Sequence, residues 1–323
     1  MAQAIRIHEH GGPEVLRLEA VTVGEPGPGE LRLRQTAIGL NFIDVYQRTG
    51  LYPTSLPAGL GREAAGIVEA VGSKVRGFSP GDRVAYALAT SGAYADVRLL
   101  PAERVLRLPD NVSERDAAAS LLKGLTAHAL LRRSYRVRKG DWIVVHAAAG
   151  GVGMILVQWA RHLGARVIGV VGTEGKAEQV RQLGADHVLV DTTDLAPRVR
   201  GLTRGKGVAV VYDSVGKDTF AASLDCLQPL GMMVTFGNAS GPVPAIAPLE
   251  LGRRGSLFLT RPMLFDYIKK TADLRKAAHE LFAVLGTGIV KIHVGQTYRL
   301  ADIATAHADL EARRTTGSTV IIP

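Results

Sequence analysis

Three glycines in one short stretch have the spacing of a phosphate-binding turn. The sequence HAAAGGVGMILVQWA, residues 146–160, places them between an apolar run and an amphipathic segment. Positions without side chains let backbone N–H groups approach a pyrophosphate at the positive end of a helix. A glycine triplet alone is weak evidence, but at the first strand–helix junction of a βαβ series it predicts a dinucleotide site. That site would be formed by Ala149, Gly150, Gly151, Val152 and Gly153.

The residues after the second strand of this series bear on which dinucleotide is bound. The run ARVIGVV is followed by Gly172 and Thr173, where NAD enzymes usually carry an acid for the ribose hydroxyls. Here the glycine leaves room for a 2′-phosphate and Lys176 offers it a positive charge, which favours NADPH over NADH. Glu174 and Asp191 are acids that would oppose a 2′-phosphate. Lys176 has the alternative of a solvated position on a helix face.

The stretch GLGREAAGIVEAVG, residues 59–72, has the form of a segment that delivers a metal ligand, a Gly-x-Glu step leading into an apolar strand. Its middle position is Arg62, whose guanidinium stays protonated and has no lone pair for a metal. The chain also has a single cysteine, Cys226, which excludes an internal disulfide and a cysteine-rich zinc lobe. We therefore predict that the protein has no metal site. The alternative is a site at His8 and His10, whose imidazoles would share one face of a strand, although most such pairs are surface histidines.

Two kinds of sequence pattern surround these residues. From Asp141 onward, apolar runs such as WIVVHAA, ARVIGVVG, DHVLV and GVAVVYDSVG alternate with helical segments. This alternation predicts a doubly wound parallel sheet, because parallel strands need helical crossovers. Roughly the first 120 residues are instead β-rich, with short alternating runs between Gly/Pro turn clusters. The tail ADIATAHADLEARRTTGSTVIIP predicts a helix and a strand that return to the β-rich domain.

Composition restricts the class of function. The 323 residues leave room for two domains. Lys and Arg outnumber Asp and Glu by 39 to 30, but the excess is scattered in pairs such as Arg132-Arg133, with no aromatic RNA-binding motif, which argues against nucleic-acid binding. The first residues lack the apolar core of a signal peptide and no apolar run has the length of a membrane span. We expect a cytoplasmic protein without membrane contact.

Several motifs together resemble a known superfamily. The stretches GLNFIDVYQRTGLYP, LPAGLGREAAGIVEAVG, SPGDRV, KGLTAHALL, HAAAGGVG, VVYDSVG and FGN are spread over essentially the whole chain. They are similar to those of medium-chain dehydrogenases/reductases, and more narrowly of the zinc-independent quinone oxidoreductases related to zeta-crystallin. The resemblance implies an α/β fold with a GroES-like catalytic domain over residues 1–123, completed by 289–323. It also implies a Rossmann NADPH-binding domain over residues 124–288, with NADPH in the cleft between the domains.

The resemblance accounts for the arginine in the Gly-x-Glu step. In zinc-dependent relatives a Gly-His-Glu step supplies a ligand where this chain has Gly61-Arg62-Glu63, and a cysteine ligand occupies the place of Asn41. Asparagine is a poor zinc ligand beside cysteine or histidine. The resemblance therefore implies hydride transfer without zinc.

Two sets of site residues follow from the same resemblance. The nicotinamide and the substrate would lie against Asn41, Asp44, Tyr46, Tyr52, Lys123 and Thr126. The two tyrosines are candidate donors to a developing oxyanion, with ordinary packing as the alternative. Further cofactor contacts would be Ser214, Phe236, Gly237, Asn238, Arg261 and Arg313. One departure is that VLVDTTD, near the end of the third Rossmann strand, lacks the tyrosine that family members often have beside the adenosine phosphate.

The function implied is an NADPH-dependent quinone oxidoreductase. A quinone takes hydride readily because its reduced product is aromatic, and the cofactor carries the chemistry while the protein orients it. Two alternatives stay open: reduction of activated C=C bonds in enals or enones, and binding of AU-rich RNA, which relatives suggest. The apolar run in GSLFLTRP, residues 255–262, predicts an edge strand that pairs with its two-fold mate in a homodimer. The alternative is a strand covered by its own chain.

Overall fold

The computed structural model describes all residues from Met1 to Pro323. Its strands are β1 (Ala2–Ile7), β2 (Arg17–Val21), β3 (Glu30–Leu40), β4 (Ala58–Gly59), β5 (Glu63–Val71), β6 (Arg83–Ala87), β7 (Val97–Pro101), β8 (Val105–Arg107), β9 (Trp142–Val145), β10 (Arg166–Val171), β11 (His187–Val190), β12 (Val208–Asp213), β13 (Leu227–Thr235), β14 (Phe258–Thr260), β15 (Val294–Arg299) and β16 (Ser318–Ile322). Its helices are α1 (Phe42–Arg48), α2 (Glu114–Ala129), α3 (Gly151–His162), α4 (Glu174–Gln182), α5 (Leu195–Leu202), α6 (Phe220–Asp225), α7 (Pro248–Arg253), α8 (Leu264–Ile268), α9 (Thr271–Gly286) and α10 (Ile303–Glu311). None of these helices combines the length and the apolar character needed to cross a membrane.

The chain divides into two units. Unit 1 comprises Met1–Gly124, Ile268–Gly286 and Ile292–Pro323, and unit 2 comprises Leu125–Tyr267 and Thr287–Lys291. Helix α9 therefore belongs with unit 1, whereas the sequence placed it in the Rossmann half.

Specific contacts attach α9 to unit 1. The guanidinium of Arg104 donates to the carbonyl of Ile268 at 2.9 Å, just before the helix. At the helix end, the side-chain amide of Asn111 donates to the carbonyl of Gly286 at 3.3 Å. Such contacts join residues far apart in the chain, so no local sequence pattern assigns α9 to unit 1.

Unit 1 is built on two sheets whose strands are antiparallel except for the parallel pair β15 and β16. Its larger sheet has the order β15-β16-β3-β5-β6-β8, with β7 also paired to β3, and a smaller sheet has the order β2-β1-β4. The C-terminal strand β16 runs antiparallel to β3, with Val320 opposite Gly39. The tail thus completes the β-rich unit, as its sequence indicates. Both sheets contribute side chains to one hydrophobic core, for example Ile5, Leu33 and Ile321.

Unit 2 is a doubly wound parallel sheet. Its strand order is β11-β10-β9-β12-β13-β14, and all five neighbouring pairs are parallel. Strand β12 is buried at every position, as expected for a strand covered on both faces. The order of the strands reverses between β9 and β12, and in such sheets ligands bind outside the carboxyl ends of the strands at this point.

Candidate active site

Asn41 connects two buried acids in unit 1. It follows β3 directly and is the N-cap of α1, and its backbone N–H donates to Asp44 Oδ2 at 2.9 Å. Its side-chain amide donates to Glu63 Oε1 at 2.8 Å. The side chains of both acids are inaccessible to solvent, so Asn41 fixes the spacing of two carboxyl groups that a β-strand and a helix hold in the interior.

Glu63 binds two residues of helix α2 in addition to Asn41. Its Oε1 accepts from the ammonium of Lys123 at 2.9 Å, and its Oε2 accepts from the backbone N–H of Leu122 at 2.6 Å. Lys123 is itself only 5% exposed. Glu63 takes one of the three N–H donors of this ammonium, which leaves two for an oxygen of a bound molecule. The sequence predicted Lys123 as a site residue but missed Glu63, which stands in the quoted Gly-x-Glu step.

Asp44 is the most perturbed acid of the site. Its Oδ2 accepts from Tyr94 Oη at 2.8 Å as well as from Asn41, but its buried Oδ1 has no partner. Burial raises the pKa of Asp44 to about 7, although the hydrogen bonds from Tyr94 and Asn41 and the charge of Arg62 oppose the shift. A carboxyl group of this kind changes its charge near neutral pH.

The hydrogen bonds of Asp44 extend to the C-terminal helix. Tyr94 Oη lies 3.1 Å from His307 Nε2, and His307 Nδ1 lies 3.1 Å from the guanidinium of Arg48. The guanidinium also bonds to Glu311 Oε1 at 2.8 Å. None of these residues was predicted. His307 on α10 is 259 positions from Arg48, so no local pattern joins the two.

The predicted tyrosines pack on each other. The rings of Tyr46 and Tyr52 are 5.2 Å apart, and Tyr46 is buried while Tyr52 is half-buried. The ring centroid of Phe42 lies 6.0 Å from that of Tyr46. Thr126 is half-buried on α2, beyond the point where the chain enters unit 2. Thr126 is thus assigned to unit 2, whereas the other residues expected to line the substrate belong to unit 1.

The arginine of the Gly-x-Glu step is held by α1. Arg62 Nε donates to Gln47 Oε1 at 2.9 Å. Partial burial lowers the pKa of Arg62, while the charge of Asp44 opposes this shift. The structure contains no group of three or more His, Cys, Asp or Glu side chains positioned to hold a metal ion.

The glycine turn of unit 2 has the local geometry of a phosphate site. It follows β9, Gly150 is the N-cap of α3, and no side chain caps the helix. The first N–H groups of a helix have no partner within it, so those of α3 are available to an anion. A Cβ on Gly153 would overlap the carbonyl oxygen of Ala147, which explains the glycine at that position. The residues present fit a dinucleotide pyrophosphate.

The end of β10 has room for a further group. A Cβ on Gly172 would meet no atom within 4 Å, and Lys176 lies in the first turn of α4. The acids that would oppose a phosphate here are both paired: Glu174 with Arg181 at 2.7 Å, and Asp191 with Arg198 at 3.3 Å. Their charges are thus partly balanced, which reduces the repulsion that the sequence alone suggested.

The remaining predicted cofactor residues follow the ends of other strands. Ser214 follows β12, and Phe236, Gly237 and Asn238 follow β13. A Cβ on Gly237 would overlap the carbonyl oxygen of Ser214, and Arg261, after β14, donates to the carbonyl of Gly237 at 3.0 Å. Arg313 differs, since it is exposed after α10 in unit 1. Unit 2 therefore brings together all the predicted cofactor residues except Arg313.

Comparisons with known proteins identify the family. Residues 27–110 match the alcohol dehydrogenase GroES-like domain, and residues 151–283 match the zinc-binding dehydrogenase family. A quinone oxidoreductase of Pseudomonas aeruginosa is 50% identical over 100% of both chains, and a 2-haloacrylate reductase of a Burkholderia species is 47% identical over 100% of this chain and 99% of the relative. The structure of an Escherichia coli quinone oxidoreductase in complex with NADPH matches with a TM-score of 0.97 at 48% identity, covering 99% of this chain and 100% of that one. The chain belongs to the quinone oxidoreductases of the medium-chain dehydrogenase/reductase superfamily.

Proposed function

We propose that the protein is an NADPH-dependent quinone oxidoreductase of the cytoplasm, where NADPH is available, and that it transfers hydride directly to a quinone without zinc. The observation that carries the proposal is the cluster in which Asn41 and Lys123 both bind Glu63, at 2.8 and 2.9 Å. The buried ammonium of Lys123 shares Glu63 Oε1 with Asn41, the residue that stands where the family resemblance would put a cysteine ligand. The names of the relatives support the substrate class.

The cofactor would be held mainly by unit 2. The uncapped N-terminus of α3, at Gly150 and Gly151, fits the pyrophosphate, and the space at Gly172 with the charge of Lys176 fits a 2′-phosphate. Ser214 and Asn238, at the ends of β12 and β13, would contact the nicotinamide half. Unit 1 would then bind the quinone.

When bound, NADPH supplies the hydride. Lys123, oriented by Glu63, would donate a hydrogen bond to the quinone oxygen that becomes anionic, and Tyr46 and Tyr52 are further candidate donors. Because these donors are fixed before the reaction, they stabilise the developing charge without reorganisation. Thr126, on the same helix as Lys123, would help to orient the nicotinamide.

The test is a matrix of steady-state assays. The purified protein should oxidise NADPH in the presence of small quinones, prefer NADPH to NADH, and keep its activity in strong chelator. Metal analysis should find no stoichiometric zinc. One tightly held zinc per chain, whose removal abolishes turnover, would refute the zinc-independent mechanism; failure to oxidise NADPH with any quinone would refute the substrate class.

The second candidate function is reduction of activated C=C bonds. It is favoured by the 47% identity to a 2-haloacrylate reductase over the whole chain, and a carboxylated or carbonyl-activated alkene would accept hydride in the same geometry. An enone and haloacrylate panel in the same assay separates the two. A higher kcat/KM for alkenes than for every quinone tested would make this the main activity.

We also propose that the protein is a homodimer joined along β14. This strand is the edge of the parallel sheet of unit 2, with Phe258 55% and Leu259 37% exposed. The apolar run in the sequence also contains Leu257, but the side chain of Leu257 is buried in the core of unit 2. Pairing with the β14 strand of a second copy would give hydrogen-bond partners to the unpaired backbone N–H and C=O groups of this edge. It would also cover the side chains of Phe258 and Leu259.

Light scattering tests this interface. The wild type should have the mass of a dimer, and the double variant Phe258→Lys/Leu259→Lys should be monomeric, because four lysines would face each other across the two-fold axis. The matched control is Leu18→Lys, which places a lysine at an exposed apolar position of β2 in unit 1, 45% exposed. A double variant that remains dimeric would place the interface elsewhere.

A further inference from the structure

A chain of hydrogen bonds leads from Glu311, at the end of α10, to Asp44. Arg48, His307 and Tyr94 lie between them, and each of the three is no more than 1% exposed. The successive distances are 3.1 Å from the Arg48 guanidinium to His307 Nδ1, 3.1 Å from His307 Nε2 to Tyr94 Oη, and 2.8 Å from Tyr94 Oη to Asp44 Oδ2. We call Arg48, His307 and Tyr94 the α10 relay.

The direction of every hydrogen bond in the relay follows from its arginine. A guanidinium only donates, so His307 Nδ1 must accept and the imidazole proton must be on Nε2. That N–H donates to Tyr94 Oη, and the hydroxyl proton is left for Asp44 Oδ2. Burial, assisted by the charge of Arg48, lowers the pKa of His307 to about 3, which agrees with a neutral ring carrying one proton.

We propose that the α10 relay positions Asp44 and, through it, Asn41 at the Glu63–Lys123 pair. Only the expected effect of the relay on turnover rests on the proposed quinone reductase function. The relay is not a route for protons from outside, because the hydrogen bonds that link its members are all donated in the direction of Asp44 and arginine does not release a proton at physiological pH. It acts instead as a fixed support: helix α10 holds the carboxyl group, and the carboxyl group holds the backbone N–H of Asn41.

The groups around Asp44 show why such a support matters. Arg62 and Glu63 face it from the segment entering β5, with opposite charges, and Tyr94 and Asn41 donate to its Oδ2. Its Oδ1 has no partner, so the hydrogen bonds that stabilise the charged form all reach one oxygen. Removing the hydroxyl of Tyr94 would leave Asn41 alone on that oxygen and shift the pKa of Asp44 upward.

The experiment uses Tyr94→Phe with Tyr135→Phe as the matched control. Tyr135 also donates to an aspartate, Asp141 Oδ2 at 3.1 Å, but in unit 2 and not on α10. Carboxyl ¹³C NMR of the ligand-free protein should show the pKa of Asp44 raised by about one to two units in Tyr94→Phe and unchanged in the control. The pH profile of kcat for quinone reduction should move to higher pH by the same amount, with the KM for NADPH unchanged.

Two results would overturn the relay. One is a folded Tyr94→Phe variant in which Asp44 titrates as in the wild type. The other needs no variant and decides the matter if Tyr94→Phe does not fold: ¹⁵N NMR of the wild type must show His307 neutral with its proton on Nε2, and a proton on Nδ1 contradicts the relay. Neither NMR measurement requires a quinone, so an inactive wild type would refute the proposed function and leave the relay to be decided by NMR.

Discussion

Replacing Asp44 by asparagine should change how the stability of the protein depends on pH. The amide can accept from Tyr94 and Asn41 through its oxygen, and its NH₂ takes the place of Oδ1, which has no partner in the wild type. The variant therefore keeps the shape of the site and removes only the ionisation. Any penalty for burying the NH₂ is the same at every pH.

The size of the effect follows from the pKa of Asp44, which is raised from 3.8 to about 7 by burial. Between these values the folded protein holds a proton that the unfolded chain has lost, so the free energy of unfolding falls as pH rises. At 1.36 kcal/mol per unit, Asp44 removes about 4 kcal/mol from the wild type between pH 4 and pH 7. Relative to the wild type, Asp44→Asn should therefore gain about 4 kcal/mol over this range and no more above it.

His307 contributes a slope of the opposite sign. Burial lowers the pKa of His307 from 6.5 to about 3, so over that window the unfolded chain binds the additional proton and stability rises with pH. The two slopes largely cancel in the wild type where the windows overlap. In Asp44→Asn the contribution of His307 remains, and the variant should become more stable as pH rises toward 6.5.

The assay is urea unfolding of wild type and variant at intervals from pH 4.5 to 8.5. Asp309→Asn is the control, because Asp309 also accepts from a tyrosine but at the surface, and its pKa is lowered by hydrogen bonds from Tyr298 and Arg314. Because the pKa of Asp309 lies below its usual 3.8, this group is ionised in the folded and the unfolded protein throughout this range, so the control should differ from the wild type by a constant amount. A difference between Asp44→Asn and wild type that stays constant with pH would refute the assignment of a near-neutral pKa to Asp44.

Three further predictions concern other parts of the site. Lys123→Met leaves the buried carboxylate of Glu63 without its cation, and should destabilise the protein by about 3–5 kcal/mol in urea unfolding and lower kcat for quinone reduction; unchanged values would show that the pair is dispensable. Gly153→Ala introduces a Cβ against the carbonyl of Ala147, and should raise the Kd for NADPH measured by fluorescence titration, whereas wild-type binding would contradict the role of the turn. Lys176→Ala should raise the KM for NADPH by roughly ten- to a hundredfold and barely change that for NADH; equal effects on both cofactors would show that Lys176 does not bind the 2′-phosphate.

The sequence predicted those features that depend on local patterns. The glycine turn before α3 and the alternation of strands and helices in unit 2 each follow from residues close together in the chain. The strand order β11-β10-β9-β12-β13-β14 agrees with that alternation. The C-terminal strand was also expected to return to the first unit, and β16 pairs with β3.

The features that were missed depend on contacts between distant residues. Glu63 binds Asn41 and Lys123, which are 22 and 60 positions away, and neither spacing marks a motif. His307 is recognisable as a site residue only after α10 has folded against α1. The burial of Leu257 could not be predicted from the sequence either. Leu257 is buried while Phe258 and Leu259 are exposed, and this difference depends on which face of the chain packs on the core of unit 2.

The central claim is that hydride passes directly to a quinone at a site without zinc. The most direct measurement is the single-turnover rate of quinone reduction in strong chelator, with NADPH carrying either hydrogen or deuterium at the transferred position. The account predicts reduction at the same rate with and without chelator, and a slower rate with deuterium. A reaction that stops in chelator and is restored by zinc alone, or one in which quinone is not reduced by bound NADPH, would contradict it.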